Sequence, residues 1–441
     1  MKRLLSLLLC AVLALFCATT AQAAGVSITL TASEYALHYA FDTGAQDPFV
    51  ILEYATPAEK GWMMLYSADG HFEGDVSLAY SGAGGKTSVA LTSARTTGSI
   101  GKASTTLPKA ADYQKPTGKS NAKVMDFVLT ETPEGFHYAF NAAGTDYMLL
   151  YWRSKEQTVT QPVYPDENGH YEGDVISDLT FARTQFTVQV KSGSGSMKKE
   201  ATVRKGYQAP EAPQRQEGRL SGVTVCIDAG HQENGRFVNE PIGPGLSGST
   251  SGKGGMAQGT KTNRRESIVC LEIGMLLRDE LLRQGANVVM TREDQTTFHT
   301  NIERCEIAEA GGAQMMLRLH CNNSSNRSKR GIQVYGPLNS DYAKAVADAD
   351  TYREMGQKLL DAMKTRVGMT LANSTGMVRL NDNYVGNNWA KMMCFLVEMG
   401  YLSNPAEEYL LVTPVYQQWL AEGMADGVYE IAVARGWVQA Q

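Results

Sequence analysis

Several things are scarce in this chain, and each scarcity narrows what it can be. Its 441 residues hold seven cysteines, with no CxxC pair among them. Cys10 and Cys17 fall in the N-terminal apolar run, which leaves Cys226, Cys270, Cys305, Cys321 and Cys394. An odd set in mostly apolar surroundings argues against a disulfide framework and against cysteine-based zinc binding, and reads as buried small hydrophobes. Positive charge is not in excess either. The 41 Lys and Arg against 46 Asp and Glu give a formal charge of −5, or −7 once Lys2 and Arg3 are removed. A chain of that sign is not built to hold anionic polymers by bulk electrostatics, so nucleic acid is not expected as a partner. Beyond the first two dozen residues no apolar run approaches membrane-spanning length, and no membrane anchor is expected.

What is present begins with a leader. Lys2 and Arg3 precede an apolar run from Leu4 to Ala18, followed by the small-residue site Ala21-Gln22-Ala23. Residues 1–23 therefore read as a Sec signal peptide, too short and wrongly flanked for an anchor. Neither Cys10 nor Cys17 follows a small residue, so a lipid-modified cysteine is not expected. The mature protein is expected to be secreted, extracellular, soluble and monomeric. Hydrophobic and charged fractions of 43% and 20% are those of an ordinary globular protein, and the length suits two to four domains.

An internal repeat fills residues 26–205. HYAF at His38 recurs at His137, and GHFEGDV at Gly70 recurs as GHYEGDV at Gly169, both 99 residues on. Short alternating runs broken by Gly, Asp and Asn turns predict two tandem all-β, sandwich-like domains over 26–107 and 123–205. His38, His71, His137 and His170 occupy equivalent places and are read as residues of a shared fold. Tyr54, Trp62, Tyr151 and Trp152 could form a sugar-stacking face, with core packing an equal reading. Residues 206–219, rich in Pro, Gln and charge, are expected to be a linker.

From residue 220 to 441 the texture changes to alternating strands and helices, which predicts an α/β domain with a mainly parallel sheet flanked by helices. Strands are expected at 223–227, 287–291, 315–320, 332–335 and 393–398, and helices at 267–284, 302–310 and 343–367. Three strands end in ionisable residues: His231 just past VTVCIDAG, His320 closing MMLRLH, and Glu398 closing MCFLVE. Glu266 opens the first helix, where a negative charge suits the N-terminus. In a parallel sheet, helix N-termini lie at the same edge as strand C-termini, so these four can converge. Two imidazoles and a carboxylate make a catalytic zinc site, and a second carboxylate can move protons. His299, in a polar loop, is read as surface.

These blocks resemble the zinc-dependent N-acetylmuramoyl-L-alanine amidases of peptidoglycan, over residues 221–436. VCIDAGHQ is similar to the family's opening strand, ERCEIAEAGGAQMMLRLHCNN to its second histidine block, and CFLVEMGYLSNPAEEYLL to its closing block. The resemblance implies His231, Glu266 and His320 as ligands of one Zn²⁺ per chain, and Glu398 as the catalytic carboxylate. It implies cleavage of the amide between N-acetylmuramic acid and L-alanine, for wall remodelling or lysis, in the cell wall or periplasm. Ala229, Gln232, Glu309 and Arg318 depart from the family pattern without removing a ligand. The Gly- and Ser-rich insertion 233–261 is either a disordered spacer or a lip over the site. Arg379, Asn388 and Trp389 are candidates for substrate contact, as is Gly331 with its following strand. The metal site alone does not select the bond: another zinc peptidase or deacylase acting on wall fragments is the alternative, and a wall-binding protein with an inert catalytic half is a second.

Overall fold

The computed structural model describes residues 19–22, 26–45, 47–96, 98–120, 122–132, 135–154, 157–176, 185–193, 197–204, 209–232, 238–250, 255–368 and 377–440. The chain divides into two compact units, with the boundary between Lys205 and Gly206. Most of the predicted leader lies outside the described residues. Its end, Thr19–Gln22, forms strand β1.

The first unit is built from two sets of seven strands. The first set is β2 (Ser27–Ser33), β3 (Ala36–Asp42), β4 (Phe49–Ala55), β5 (Glu59–Tyr66), β6 (His71–Ser77), β7 (Gly85–Ser93) and β8 (Ser99–Leu107). The second is β9 (Val124–Thr132), β10 (Gly135–Ala142), β11 (Met148–Arg153), β12 (Gln157–Val163), β13 (His170–Ile176), β14 (Gln185–Lys191) and β15 (Met197–Arg204). Three strands of each set form a small sheet, β2-β3-β6 (extended by β1) and β9-β10-β13. The other four of each set join in one eight-stranded sheet, ordered β15-β14-β11-β12-β5-β4-β7-β8. Separate apolar cores, one around Leu37, Phe41 and Leu52 and one around Phe140, Leu150 and Trp152, lie between the layers of each copy. The repeats are thus not independent beads. Gln157–Val159 of β12 pair with Glu59–Gly61 of β5, and the buried Glu59 carboxylate accepts from Gln157 Nε2 across that seam at 3.2 Å. Of the four aromatics, Tyr54 and Trp152 are core residues, which removes half of the envisaged stacking face.

The second unit carries a six-stranded sheet, β17-β16-β18-β21-β19-β20. Its strands are β16 (Thr224–Ala229), β17 (Asn287–Met290), β18 (Met315–Asn322), β19 (Gln333–Gly336), β20 (Met377–Leu380) and β21 (Met393–Tyr401). Helices α1 (Glu266–Arg283), α2 (Asn301–Ala310), α3 (Asp341–Val346), α4 (Ala349–Val367), α5 (Val385–Trp389), α6 (Glu407–Leu410) and α7 (Pro414–Ala434) complete it. β17, β16, β18 and β21 run parallel, and β19 is antiparallel to β21. That reversal brings the start of β19, not its end, to the edge where β16, β18 and β21 finish.

One expectation is corrected. The single helix expected over 343–367 is two, because Ala347 is extended (φ −166°) and Asp348 caps α4 by accepting from Thr351 N at 2.8 Å. The expected linker is in its described part held by α1: Gln216 N donates to Leu282 O at 3.0 Å and Arg215 Nη1 to Gly285 O at 2.8 Å. The end of a helix has carbonyls with no partner of their own, and this segment supplies donors. All five remaining cysteines are buried and free. Among the described residues no helix is long and apolar enough to cross a membrane.

Asp348→Ala should cost about 1 kcal/mol, the usual worth of an N-cap. Chemical denaturation of the variant against the parent measures it.

Candidate active site

The site starts below itself, at Asp228. This residue is fully buried in β16, and accepts from Thr291 Oγ1 at 2.8 Å, from Arg318 Nε at 2.9 Å and from Arg304 Nη1. Burial opposes its charge, but the two guanidiniums overcome that and hold its carboxyl well below the usual range. The departure at Arg318 therefore has a structural role. It is buried, also donates to Asn301 Oδ1 at 2.7 Å, and lies so close to Gly386 that a Cβ there would meet its Cζ at 2.2 Å. Glu309 pairs with Lys391 at the surface, 2.9 Å away.

Above Asp228 the backbone turns sharply. Arg292 donates to the carbonyls of Ala229 (2.7 Å), Gly230 (2.9 Å) and Ser267 (2.7 Å), and Arg304 to those of Ala229 (3.0 Å) and His231 (3.2 Å). His231 itself has φ 57°, a left-handed conformation that costs a non-glycine residue roughly 1–3 kcal/mol. Gly230 has no freedom to change, since a Cβ would stand 2.4 Å from Leu319 O and 2.6 Å from the His320 ring. His299, expected at the surface, is half-buried, and its carbonyl accepts from Arg304 Nε at 3.3 Å.

Glu266, at the first turn of α1, is where the imidazoles meet. Its Oε1 lies 3.1 Å from His231 Nε2 and 3.0 Å from His320 Nδ1, and also accepts Cys321 N at 3.0 Å. Its Oε2 accepts Ala257 N at 2.8 Å, from the Gly- and Ser-rich insertion. Burial raises the cost of its charge; the two imidazoles outweigh it and keep the carboxyl well below the usual range. Burial pushes His320 down, favouring its neutral form. One donor atom from each of the three lies within 4.8 Å of the others, so His231, Glu266 and His320 could hold a metal ion.

Does this set fit a divalent ion? Two buried polar atoms here have no hydrogen-bond partner, His320 Nε2 and Glu398 Oε2. Such atoms cost folding free energy unless something else satisfies them. Two imidazole nitrogens and one carboxylate oxygen are also the donor types that a catalytic zinc site uses. The residues fit.

Glu398 sits beside the trio. Its Cα is paired with His320 on one side and with Gln333 on the other. Burial, then the charge of Glu266, push its carboxyl up to about 8. Sequence reading reached Gln333 and Tyr335 only through the strand that follows Gly331, and it missed Tyr384. Gln333 Oε1 accepts from Asn322 Nδ2 at 3.1 Å and from Tyr335 Oη at 2.6 Å, and the Tyr335 and Tyr384 rings lie 5.1 Å apart. Tyr384 lies off that strand, at the N-cap of α5, and no local sequence pattern singled it out. Gly331 N itself donates to Glu407 Oε1 at 2.8 Å.

The other substrate candidates fare differently. Arg379 stands on β20 opposite Tyr335, two register steps from the Gln333–Glu398 pair. Asn388 is fully buried and its Nδ2 donates to Ile242 O (3.1 Å) and Asp382 O (3.0 Å), while Trp389 Nε1 donates to Pro241 O at 2.9 Å. Both brace the insertion. Glu240 pins the same segment to the start of α2 through Asn301 N (3.2 Å) and Ile302 N (2.8 Å), and Glu408 holds Lys261 N at 2.9 Å. The disordered-spacer reading of 233–261 is therefore wrong for its described residues; 233–237 and 251–254 lie outside them.

The family model described as N-acetylmuramoyl-L-alanine amidase matches residues 225–430, which hold all four site residues. This part of the chain belongs to the N-acetylmuramoyl-L-alanine amidase family. Two relatives agree in kind. The germination-specific N-acetylmuramoyl-L-alanine amidase of Bacillus subtilis is 26% identical over 231 residues, covering 49% of this chain and 83% of that protein. The probable cell wall amidase LytH of Staphylococcus aureus is 27% identical over 218 residues, 48% of this chain and 60% of its own length. An N-acetylmuramoyl-L-alanine amidase structure from Clostridium difficile 630 aligns at 25% identity over 48% of this chain and 96% of that one, with a TM-score of 0.38. The amidase domain is a hydrolase, with β16 as its first strand and α7 as its last helix.

Asp228→Ala leaves two buried guanidiniums without their carboxylate and should destabilise the amidase domain by roughly 3–5 kcal/mol, read from its denaturation midpoint. Gly230→Ala should instead displace the His320 ring, and isothermal titration with Zn²⁺ should show affinity falling at least tenfold.

Proposed function

We propose that this chain is an exported zinc amidase that hydrolyses the bond between N-acetylmuramic acid and L-alanine in peptidoglycan. The observation that carries the reading is the meeting of two imidazoles on one buried carboxylate, with a second, half-buried carboxylate, Glu398, on the next strand. The relatives named as amidases, one of them a cell wall amidase, support the choice of bond. The leader-like N-terminus supports export to the cell wall or periplasm, and a monomer is the simplest working state.

In this proposal His231, Glu266 and His320 hold one zinc ion per chain. Bound there, zinc would supply a Lewis acid for the amide carbonyl and for water. Glu398 takes the proton from water and returns it to the departing amine of L-alanine, a role suited to a carboxyl whose pKa is raised toward neutrality. Arg292 and Arg304 keep the His231 carbonyl turn fixed, so the imidazole is oriented before substrate arrives. Ala257 N, donating to Glu266 Oε2, fastens the insertion to the site, where it serves as one wall of the cleft. Arg379 remains the candidate for contact with substrate. Asn388 and Trp389 act through the segment they brace. The two β copies are taken as sandwich-like accessory modules.

Digestion of purified peptidoglycan should release new amino-terminal L-alanine. New termini of D-amino acids instead would mean a peptidase. Glu398→Gln should lower turnover by about 10²–10⁴-fold with zinc content unchanged, whereas His231→Ala and His320→Ala should lose both zinc and activity. If Glu398→Gln hydrolysed walls at the parental rate, the proton-transfer role would be lost.

A further inference from the structure

We propose that each β copy binds a divalent transition-metal ion of its own, held by His38, Glu73 and His71 in the first copy and by His137, Glu172 and His170 in the second. The argument begins with the faces of the strands. Along β3, Leu37, Tyr39 and Phe41 are buried, so His38, Ala40 and Asp42 alternate onto the outer face. Along β6, Phe72 and Val76 are buried, which turns His71, Glu73 and Asp75 outward. The register pairs His38 with Asp75, Ala40 with Glu73 and Asp42 with His71. β10 and β13 repeat this, pairing His137 with Asp174, Ala139 with Glu172 and Asn141 with His170. In each copy the glutamate faces an alanine, which leaves space beside its carboxylate.

The two nitrogens of every imidazole then have different partners. The Nδ1 atoms lie at hydrogen-bond distance from an acceptor: 3.0 Å from Asp75, 2.7 Å from Asp42, 2.9 Å from Asp174 and 2.9 Å from Asn141. Those oxygens accept from Nδ1, so once each imidazole is neutral its remaining proton stays on Nδ1 and Nε2 is the atom offered to a ligand. The Nε2 atoms all point to the shared glutamate at longer distances: 3.3 and 3.6 Å to Glu73, 3.2 and 3.8 Å to Glu172. Two ligands of a tetrahedral ion with bonds of about 2.0–2.1 Å stand roughly 3.3 Å apart. The two shorter spacings, 3.3 Å for His38 and 3.2 Å for His137, are near that of neighbouring ligands.

A plain ladder of ion pairs explains this less well. Asn141 replaces Asp42 in the second copy, which discards a charge but keeps the acceptor that sets the His170 tautomer. The outward residues face solvent, with side-chain exposures of 38% and 52% for His38 and His71. Core packing does not dictate their identity, yet both copies keep them. Among the described residues the trio in the amidase domain is the set whose donors all lie within 4.8 Å; the outer sites need their two exposed imidazoles to swing in toward the carboxylate on binding. Two imidazoles, a carboxylate and positions open to solvent suit zinc and its neighbours in the first transition row, not calcium or magnesium.

The test uses the full chain and Zn²⁺ alone, by isothermal titration and by metal analysis after dialysis. The double variant His231→Ala/His320→Ala, which lacks the amidase-domain site, should still take up about two ions per chain. Adding His38→Ala and His137→Ala should abolish that uptake, and so should the near-isosteric Glu73→Gln/Glu172→Gln pair, which leaves the sheets intact. Uptake of no ion by the first double variant, or uptake unchanged by the added substitutions, overturns the proposal. Either result leaves the amidase reading untouched, since that is scored by released L-alanine.

Discussion

Everything at the hydrolytic edge depends on one buried charge cluster. Taking ions out of water costs several kcal/mol each even after relaxation, so Asp228, Arg304 and Arg318 are tolerable only as a set. The arrangement places Asp228 between helix α2 and strand β18, and Arg304 reaches past it to the carbonyls of Ala229 and His231. A rigid ionic floor under a left-handed histidine is a way of holding an otherwise unfavourable backbone. With that floor, the His231 imidazole is set toward Glu266 without waiting for a ligand.

Glu266 is the second constraint. It is nearly inaccessible, at 3% exposure, yet serves four donors drawn from the end of β16, from β18 and from the insertion. One carboxylate therefore ties the candidate metal centre to the segment beside it. Glu240 and Glu408 repeat the device farther out, each collecting backbone N–H groups of the insertion or of α2. A segment that looks unstructured by composition becomes ordered because buried carboxylates supply the acceptors its backbone requires.

The β unit solves a different problem. Two copies of one module would each present bare sheet edges, which invite unwanted pairing. Joining β5 to β12 removes one edge from each copy and makes a continuous eight-stranded sheet. The cores remain separate, so duplication of the sequence is preserved as duplication of the packing, with Phe41 stacked on Phe72 and Phe140 on Tyr171.

Periodicity and residue type made much of this legible. The 99-residue repeat, the strand ending at His231, the helix opening at Glu266 and the strands closing on His320 and Glu398 can all be read by eye. They are local patterns, set by alternation of apolar residues and by charge at helix ends. What sequence could not supply is anything that depends on a partner far along the chain. The break before Asp348 follows from a side-chain cap, the reversal of β19 from sheet order, and the roles of Gln333, Asn388 and Trp389 from neighbours up to 148 residues away. The sequence by itself determined which candidate ligand and proton-transfer groups the amidase domain carries, because those are set by residue type. Only the tertiary structure decided which polar residues surround that chemistry and which merely brace it, because burial and distance belong to the folded chain.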